Sequence, residues 1–205
     1  MKLYEFGPTR SIRARWILQE LGVDFEAITV NLRAGGHRRP EFLEINPAGK
    51  VPALVDGGRV LTESAAIVLY LAEKYPEAGF LPSDIGQRAE MYRWTLFAVT
   101  ELEQPLWRIA RHTTLYPQAE RLPGDVSIAQ REFREMAAVL ERHMSGRAFV
   151  VGERVSAADF VVAFTLDWAD VAGLLGGFPQ LKDYVQRMYA RPRAPRHIRD
   201  LLAVP

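Results

Sequence analysis

The stretch that most constrains how this chain can fold is residues 46–64, Asn-Pro-Ala-Gly-Lys-Val-Pro-Ala-Leu-Val-Asp-Gly-Gly-Arg-Val-Leu-Thr-Glu-Ser. A proline cannot donate to a strand ladder, so Pro52 belongs at a strand start or in a turn. The apolar run Ala53-Leu54-Val55 follows it, then the turn Asp56-Gly57-Gly58-Arg59 and a second run, Val60-Leu61. That pattern is a hairpin. Glu63-Ser64 then opens an apolar-periodic helix. With a cis bond before Pro52, Val51 would turn its N–H and C=O outward to an extended peptide. Ser64 at a helix start would offer a hydroxyl and free N–H groups to a carboxylate. Together the parts make a pocket for a small acidic peptide. The plain alternative is an ordinary hairpin followed by a capped helix.

The rest of the chain narrows the function classes. Its 205 residues, 48% hydrophobic, can bury a sizeable core as one or two domains. A formal net charge of +1 gives no strong field toward nucleic acid or an anionic membrane, so neither is expected as a partner. No apolar run is long enough to span a bilayer, and Met1-Lys2-Leu3 opens no signal-peptide pattern, so a soluble cytoplasmic protein is expected. The absence of cysteine excludes disulfides, a cysteine nucleophile and thiolate metal sites. The four histidines, at 37, 112, 143 and 197, show no metal-ligand spacing, so no metal is expected. Arg191, Arg193, Arg196 and Arg199 lack the interleaved aromatics of a nucleic-acid arm and read as solvated surface or a subunit contact.

Residues 2–6 read as a strand broken by Gly7-Pro8, residues 11–21 as a helix closed by Gly22, and residues 25–30 as a second strand. This β-α-β order implies parallel pairing. A polar stretch at 33–39 and a helical turn at 41–45 precede the hairpin, giving β-α-β-α-β-β-α. Pro76-Glu77-Ala78-Gly79-Phe80-Leu81-Pro82-Ser83-Asp84 ends the last helix of this part. Asp84-x-x-Gln87 then starts a long helix as a capping box. Helical segments are predicted at 86–113, 126–143, 156–171 and 179–189. The fold class is therefore an α/β N-terminal domain over 1–77, a linker at 78–84 and an all-α domain over 85–205.

The order Asn-Pro-x-Gly-x-Val-Pro-x-Leu, from Asn46 to Leu54, followed by Glu63-Ser64 resembles the glutathione transferase family. Phe149-Val150-Val151-Gly152 with Val155-Ser156-Ala157-Ala158-Asp159 is similar to that family's Phe-x-x-Gly-x-x-x-Ser-x-Ala-Asp pattern, in which Ser156 caps a buried helix and Asp159 reaches back to it. Phe178-Pro179 and Arg187-Met188-x-x-Arg191-Pro192 look like its C-terminal helix, so the resemblance spans nearly the whole chain. It implies a thioredoxin-like first domain, homodimerisation, and a detoxifying enzyme that uses reduced glutathione as co-substrate. Val51 and Pro52 would hold the cysteinyl segment, Glu63 the α-ammonium and Ser64 the carboxylate of the γ-glutamyl end. His37 and Lys50 would face the glycyl carboxylate. The alternative for His37 is an exposed loop histidine.

The family's chemistry is activation of a borrowed thiol, and the hydroxyls at the first strand–helix junction, Thr9 and Ser11, are the candidates. Many members carry a serine four residues before an arginine there. Counting back from Arg13 reaches Thr9. A bacterial subset with disulfide-reducing activity pairs a threonine with a polar residue two positions on, as Thr9 and Ser11 do. The resemblance is thus to hydroxyl-dependent, theta/phi/nu-like members, since Tyr4 lies too early and inside the strand and reads as core or sheet face. Ser11 is alternatively a plain helix N-cap. Arg10 and Arg13 would add positive potential or sit on the solvated surface. For the electrophile, a small hydrophobic compound or a disulfide, the candidates are Arg10, Trp107, Arg108, Arg111, His112 and Tyr116. Positions 108, 111 and 112 fall on one helix face by spacing, which is alternatively a solvated charged face. Phe164 and Trp168 read as core. A non-catalytic module that kept this fold is the rival reading.

Overall fold

The computed structural model describes residues 1–203 and divides them into two compact units. One comprises Met1–Leu81 with the described residues from Arg191 on, and the other Pro82–Ala190. The sequence expectation ran the helical domain to the C-terminus, whereas residues from 191 on belong with the first unit. Their ties to it include polar ones: Arg191 pairs in a bidentate fork with Glu20 (2.7 and 2.8 Å), and Arg193 Nη1 donates to the carbonyls of Gln19 (3.2 Å) and Glu20 (2.9 Å). These partners lie more than 170 residues apart, so no local pattern could reveal them.

The first unit is built on strands β1 (Lys2–Glu5), β2 (Glu26–Thr29), β3 (Ala53–Asp56) and β4 (Arg59–Leu61), in the order β2-β1-β3-β4. β1 pairs parallel with β2, Leu3 opposite Ala27, and antiparallel with β3, Leu3 opposite Leu54. The hairpin sets Leu54 opposite Leu61. Leu3 and Leu54 are fully buried. Helices α1 (Ser11–Leu21) and α3 (Ser64–Lys74) pack together, and Ile12, Trp16 and Ile17 on one and Ile67, Val68 and Leu71 on the other are buried. Strand alternation sends Tyr4 to the opposite face, where its ring meets Phe42 of α2 (Pro40–Ile45) at 6.0 Å. This is a thioredoxin-like layer arrangement. Gly22 closes α1 with φ 67°, as its place after Leu21 demands.

The second unit is all helical. α4 (Ile85–Phe97) and α5 (Glu103–Ala110) form a nearly continuous rod with π-turns at Ala98–Leu102 and Arg111–Leu115. The sequence predicted one unbroken helix here. Pro105 supplies the physical reason for the first interruption, because it has no N–H to give the carbonyl of Glu101. α6 (Pro123–Met144), α7 (Ala157–Val171) and α8 (Pro179–Tyr189) complete the bundle. α7 is apolar nearly all round and is its buried centre. The short helix α9 (Ile198–Leu202), which the sequence did not suggest, belongs to the first unit.

Candidate functional site

The loop between β1 and α1 folds around two hydroxyls. Thr9 Oγ1 lies 2.9 Å from Ser11 Oγ and donates to the carbonyl of Phe6 in a short contact. Ser11 N–H donates to Thr9 Oγ1 at 3.2 Å, and Phe6 N–H donates to Ser11 Oγ at 3.3 Å. Ser11 is only 2% exposed, whereas Thr9 is half-buried. Ser11 is not the helix cap considered from sequence. Arg10 holds that position without a side-chain cap, and Ser11 lies one residue inside, turned back to the strand end.

The loop before β3 is shaped by Asn46, which is buried. Its amide donates to the Lys50 carbonyl at 2.6 Å and its Oδ1 accepts from Ala48 N–H at 3.1 Å. Gly49 has φ 60°, and a Cβ there would stand 2.9 Å from the His37 carbonyl oxygen, so this position accepts only glycine without movement. That close approach brings the His37 turn against the loop. His37 Nδ1 is enclosed and has no hydrogen-bond partner. Lys50 is exposed, Val51 half-buried and Pro52 buried, and the Val51–Pro52 bond is cis.

α3 begins beside these groups. Glu63, exposed, has φ 63° and ψ 108°, the only positive φ outside glycine among the described residues. Such backbone geometry is sparsely populated and concentrates at functional sites. No side chain caps the helix. Ser64 is 5% exposed, and its Oγ accepts from Arg13 Nη1 at 3.2 Å. Arg13 is 1% exposed, which excludes the solvated-surface alternative for it. A buried guanidinium between the starts of α1 and α3 is the residue that sequence reasoning undervalued. Its signal was a charge set between Ile12 and Ala14 and one helical turn before Trp16 and Ile17.

In the helical unit, the residues read from spacing as one positive face are separated. Arg108 pairs with both oxygens of Asp125 and with Glu132. His112 accepts from Leu122 N–H through Nδ1 at 3.3 Å, leaving Nε2 to face Asp125 at 3.4 Å. The Arg108 guanidinium, hydrogen-bonded to Asp125, holds that carboxyl below its ordinary range, and Asp125 in turn raises Arg108. Arg108 and His112 are therefore committed to fastening α6 to α5. Arg111 instead lies between Trp107 and Tyr116, its guanidinium carbon 6.0 and 5.9 Å from their ring centres. Trp107 continues the aromatic wall to Trp168 (6.4 Å), which meets Phe164 (6.5 Å). Phe164 is buried as expected of core, whereas Trp168 is half-buried. Among the described residues no cluster of acidic and histidine side chains forms a metal site, and no helix is long and apolar enough to cross a membrane.

A thioredoxin-like unit followed by an all-helical one defines a two-part fold class. Residues 1–73 match the family model described as Glutathione S-transferase, N-terminal domain, and residues 105–192 match Glutathione S-transferase, C-terminal domain. The chain belongs to the glutathione S-transferase family. Glutathione S-transferase 1 of Dianthus caryophyllus is 36% identical over 208 residues, covering 96% of this chain and 92% of that protein. The disulfide-bond oxidoreductase YfcG of Escherichia coli strain K12 is 33% identical over 200 residues, covering 91% and 89% respectively. The solved structure of a sphingomonad glutathione S-transferase complexed with glutathione superimposes with a TM-score of 0.83 at 29% identity over 95% of each chain.

Proposed function

We propose that the protein binds reduced glutathione in its first unit, ionises the thiol at Thr9, and delivers the thiolate to an electrophilic carbon or to a disulfide. The observation that carries this reading is the 3.2 Å bond from Arg13 to Ser64. It fixes the start of α3, where a γ-glutamyl carboxylate would meet Ser64 and unclaimed helix N–H groups, against the start of α1, where the sulfur would sit. Glu63 then takes the α-ammonium, Val51 and the Pro52 edge pair with the cysteinyl backbone, and His37 and Lys50 face the glycyl carboxylate. As the family implies, the protein works as a cytoplasmic homodimer.

Proton accounting assigns the two hydroxyls. Thr9 has one hydroxyl proton, and in the resting arrangement Phe6 O takes it. Ser11, its Oγ 2.9 Å from Thr9 Oγ1, is too enclosed to meet the sulfur itself. Thr9 is the donor, and the Ser11 N–H, donating to Thr9 Oγ1 at 3.2 Å, polarises it. Turning Thr9 to the thiolate gains about 1.5–3 kcal/mol and forfeits about 0.5–1.5 kcal/mol at Phe6. The positive end of α1, with Arg10 beside it, adds about 0.3–1 kcal/mol. The sum lowers a thiol pKa of about 8.5 by roughly one to two units.

With a carbon electrophile, the thiolate forms a C–S bond and the leaving group departs with the bonding pair. With a disulfide, the thiolate forms a new S–S bond and the displaced sulfur leaves as thiolate. The chain has no cysteine, so glutathione supplies both reducing equivalents. The disulfide-bond oxidoreductase among its relatives supports this second reaction. Trp107, Arg111 and Tyr116 would receive the co-substrate. Ultraviolet titration of bound glutathione should place its thiol about one to two units below the free value, with turnover of an aryl halide or a glutathione mixed disulfide. The engagement of the Thr9 hydroxyl by the Phe6 carbonyl favours one rival, a binding module without turnover. Tight binding with an unmoved thiol pKa would establish that rival.

A further inference from the structure

We infer that Arg111, bracketed by Trp107 and Tyr116, is a carboxylate-binding site that selects co-substrates bearing an anionic group on an aromatic body. This deepens the proposed transferase reading by naming the class of molecule its helical unit accepts.

The contrast with Arg108, three residues earlier, carries the argument. Arg108 is met by two carboxylates, Asp125 and Glu132. Arg111 is half-buried, yet no carboxylate among the described residues lies within ion-pair distance of it. Asp125, the acidic group that feels its charge, has its oxygens engaged by Arg108 and His112. Arg111 Nε is enclosed without a hydrogen-bond partner, and Nη1 has only a 3.5 Å contact to the Tyr116 hydroxyl. A partly desolvated cation with unmet donors is costly, and an incoming anion relieves that cost.

The surroundings specify what kind of anion. A guanidinium flanked by ring faces is stabilised by the aromatic quadrupoles and keeps its planar fork of N–H groups for a carboxylate. The edge-on contacts from Trp107 to Trp168 and from Tyr116 to His112 continue the ring surface on either side. A flat apolar body has an aromatic wall to lie on while its carboxylate meets Arg111. The turn is also held in place: Arg121 Nε donates to the Tyr116 carbonyl at 2.9 Å and its Nη2 to that of Thr114 at 3.3 Å. The bracket is thus built before any ligand arrives.

The test compares 3-nitrobenzoate with its methyl ester, ligands of matched body that differ in charge, by calorimetric titration without glutathione. The wild type should bind the acid about tenfold or more tightly than the ester, and Arg111→Gln should abolish that preference while leaving the ester's affinity within about twofold. Arg111→Lys should keep part of the preference, because charge remains while the planar fork is lost. Turnover of 4-chloro-3-nitrobenzoate by Arg111→Gln should then show a raised KM with little change in kcat. Equal affinity of the wild type for acid and ester, or a parallel loss of both in Arg111→Gln, would overturn the assignment. Binding of the acid is read without thiol chemistry, so failure of glutathione activation and failure of this site give different results.

Discussion

The serines at the starts of α3 and α7, Ser64 and Ser156, stand in first turns that are opposites. At α7, Asp159 Oδ2 accepts Ser156 N–H at 2.7 Å and its hydroxyl at 2.9 Å, while Oδ1 accepts Val150 N–H at 2.9 Å and the Tyr184 hydroxyl at 2.8 Å. Burial pushes the Asp159 carboxyl up, and these four donors oppose that shift. At α3, the first turn has no acidic residue and no side-chain cap, and the serine hydroxyl is held from behind by Arg13. A serine at the N-cap closes α7, whereas a serine one station further in, at the first residue of α3 after Glu63, leaves that helix receptive. The third residue on differs as well, aspartate after Ser156 and isoleucine after Ser64. An internal carboxylate makes a folding element, and its absence leaves room for an external one.

The largest effect should come from Asp159→Ala, which strands buried donors on three residues. Denaturant unfolding should show a loss of about 3–4 kcal/mol, with glutathione affinity unchanged in the fraction that remains folded. A loss under about 1 kcal/mol would remove the contrast between a closed and an open start. Next come the two serines themselves. Ser64→Ala should weaken glutathione binding by about 1–3 kcal/mol, by leaving a bound carboxylate short of a donor. Ser156→Ala should cost about 1–2 kcal/mol of stability and leave that binding untouched. If both substitutions act mainly on stability, α3 is another structural start and the open reading fails. The smallest effect concerns the sulfur: Thr9→Val should raise the bound thiol pKa by about one unit, worth about 1.4 kcal/mol, while binding persists. With the pKa raised, the thiolate-dependent rate falls at neutral pH and recovers as pH rises, so the pH–rate profile should shift alkaline. An unshifted profile would move thiolate stabilisation from Thr9 to the helix end.

The parts of this architecture that were legible in sequence are those written in short-range chemistry. Gly22, Ser156 with Asp159, and Pro179 at the first turn of α8 each mark a helix boundary by what the backbone requires there. The stretch from Asn46 to Leu54 gave away its loop because Asn46, Gly49 and Pro52 satisfy constraints within a few residues of one another. Arg13 was obscure because its partner Ser64 lies 51 residues away and a charged residue on an amphipathic helix is normally outside. The division of Arg108 and His112 from Arg111 was hidden for a related reason. Their partners Asp125 and Glu132 belong to the next helix, and the π-turn beginning at Arg111 shifts the register that simple i, i+3, i+4 spacing assumes. Ser11 showed its residue type but not its direction, which the Phe6 N–H sets from the strand side.

The return of the chain from Arg191 to Glu20 has a practical corollary for anyone cutting the gene. A fragment stopped in the Pro-rich connector would encode the sheet and its helices but not the arginines that clasp the far end of α1. The natural unit of expression is discontinuous, and a circularly permuted gene that fuses the tail ahead of Met1 would be a better minimal carrier of the sheet domain than any simple truncation.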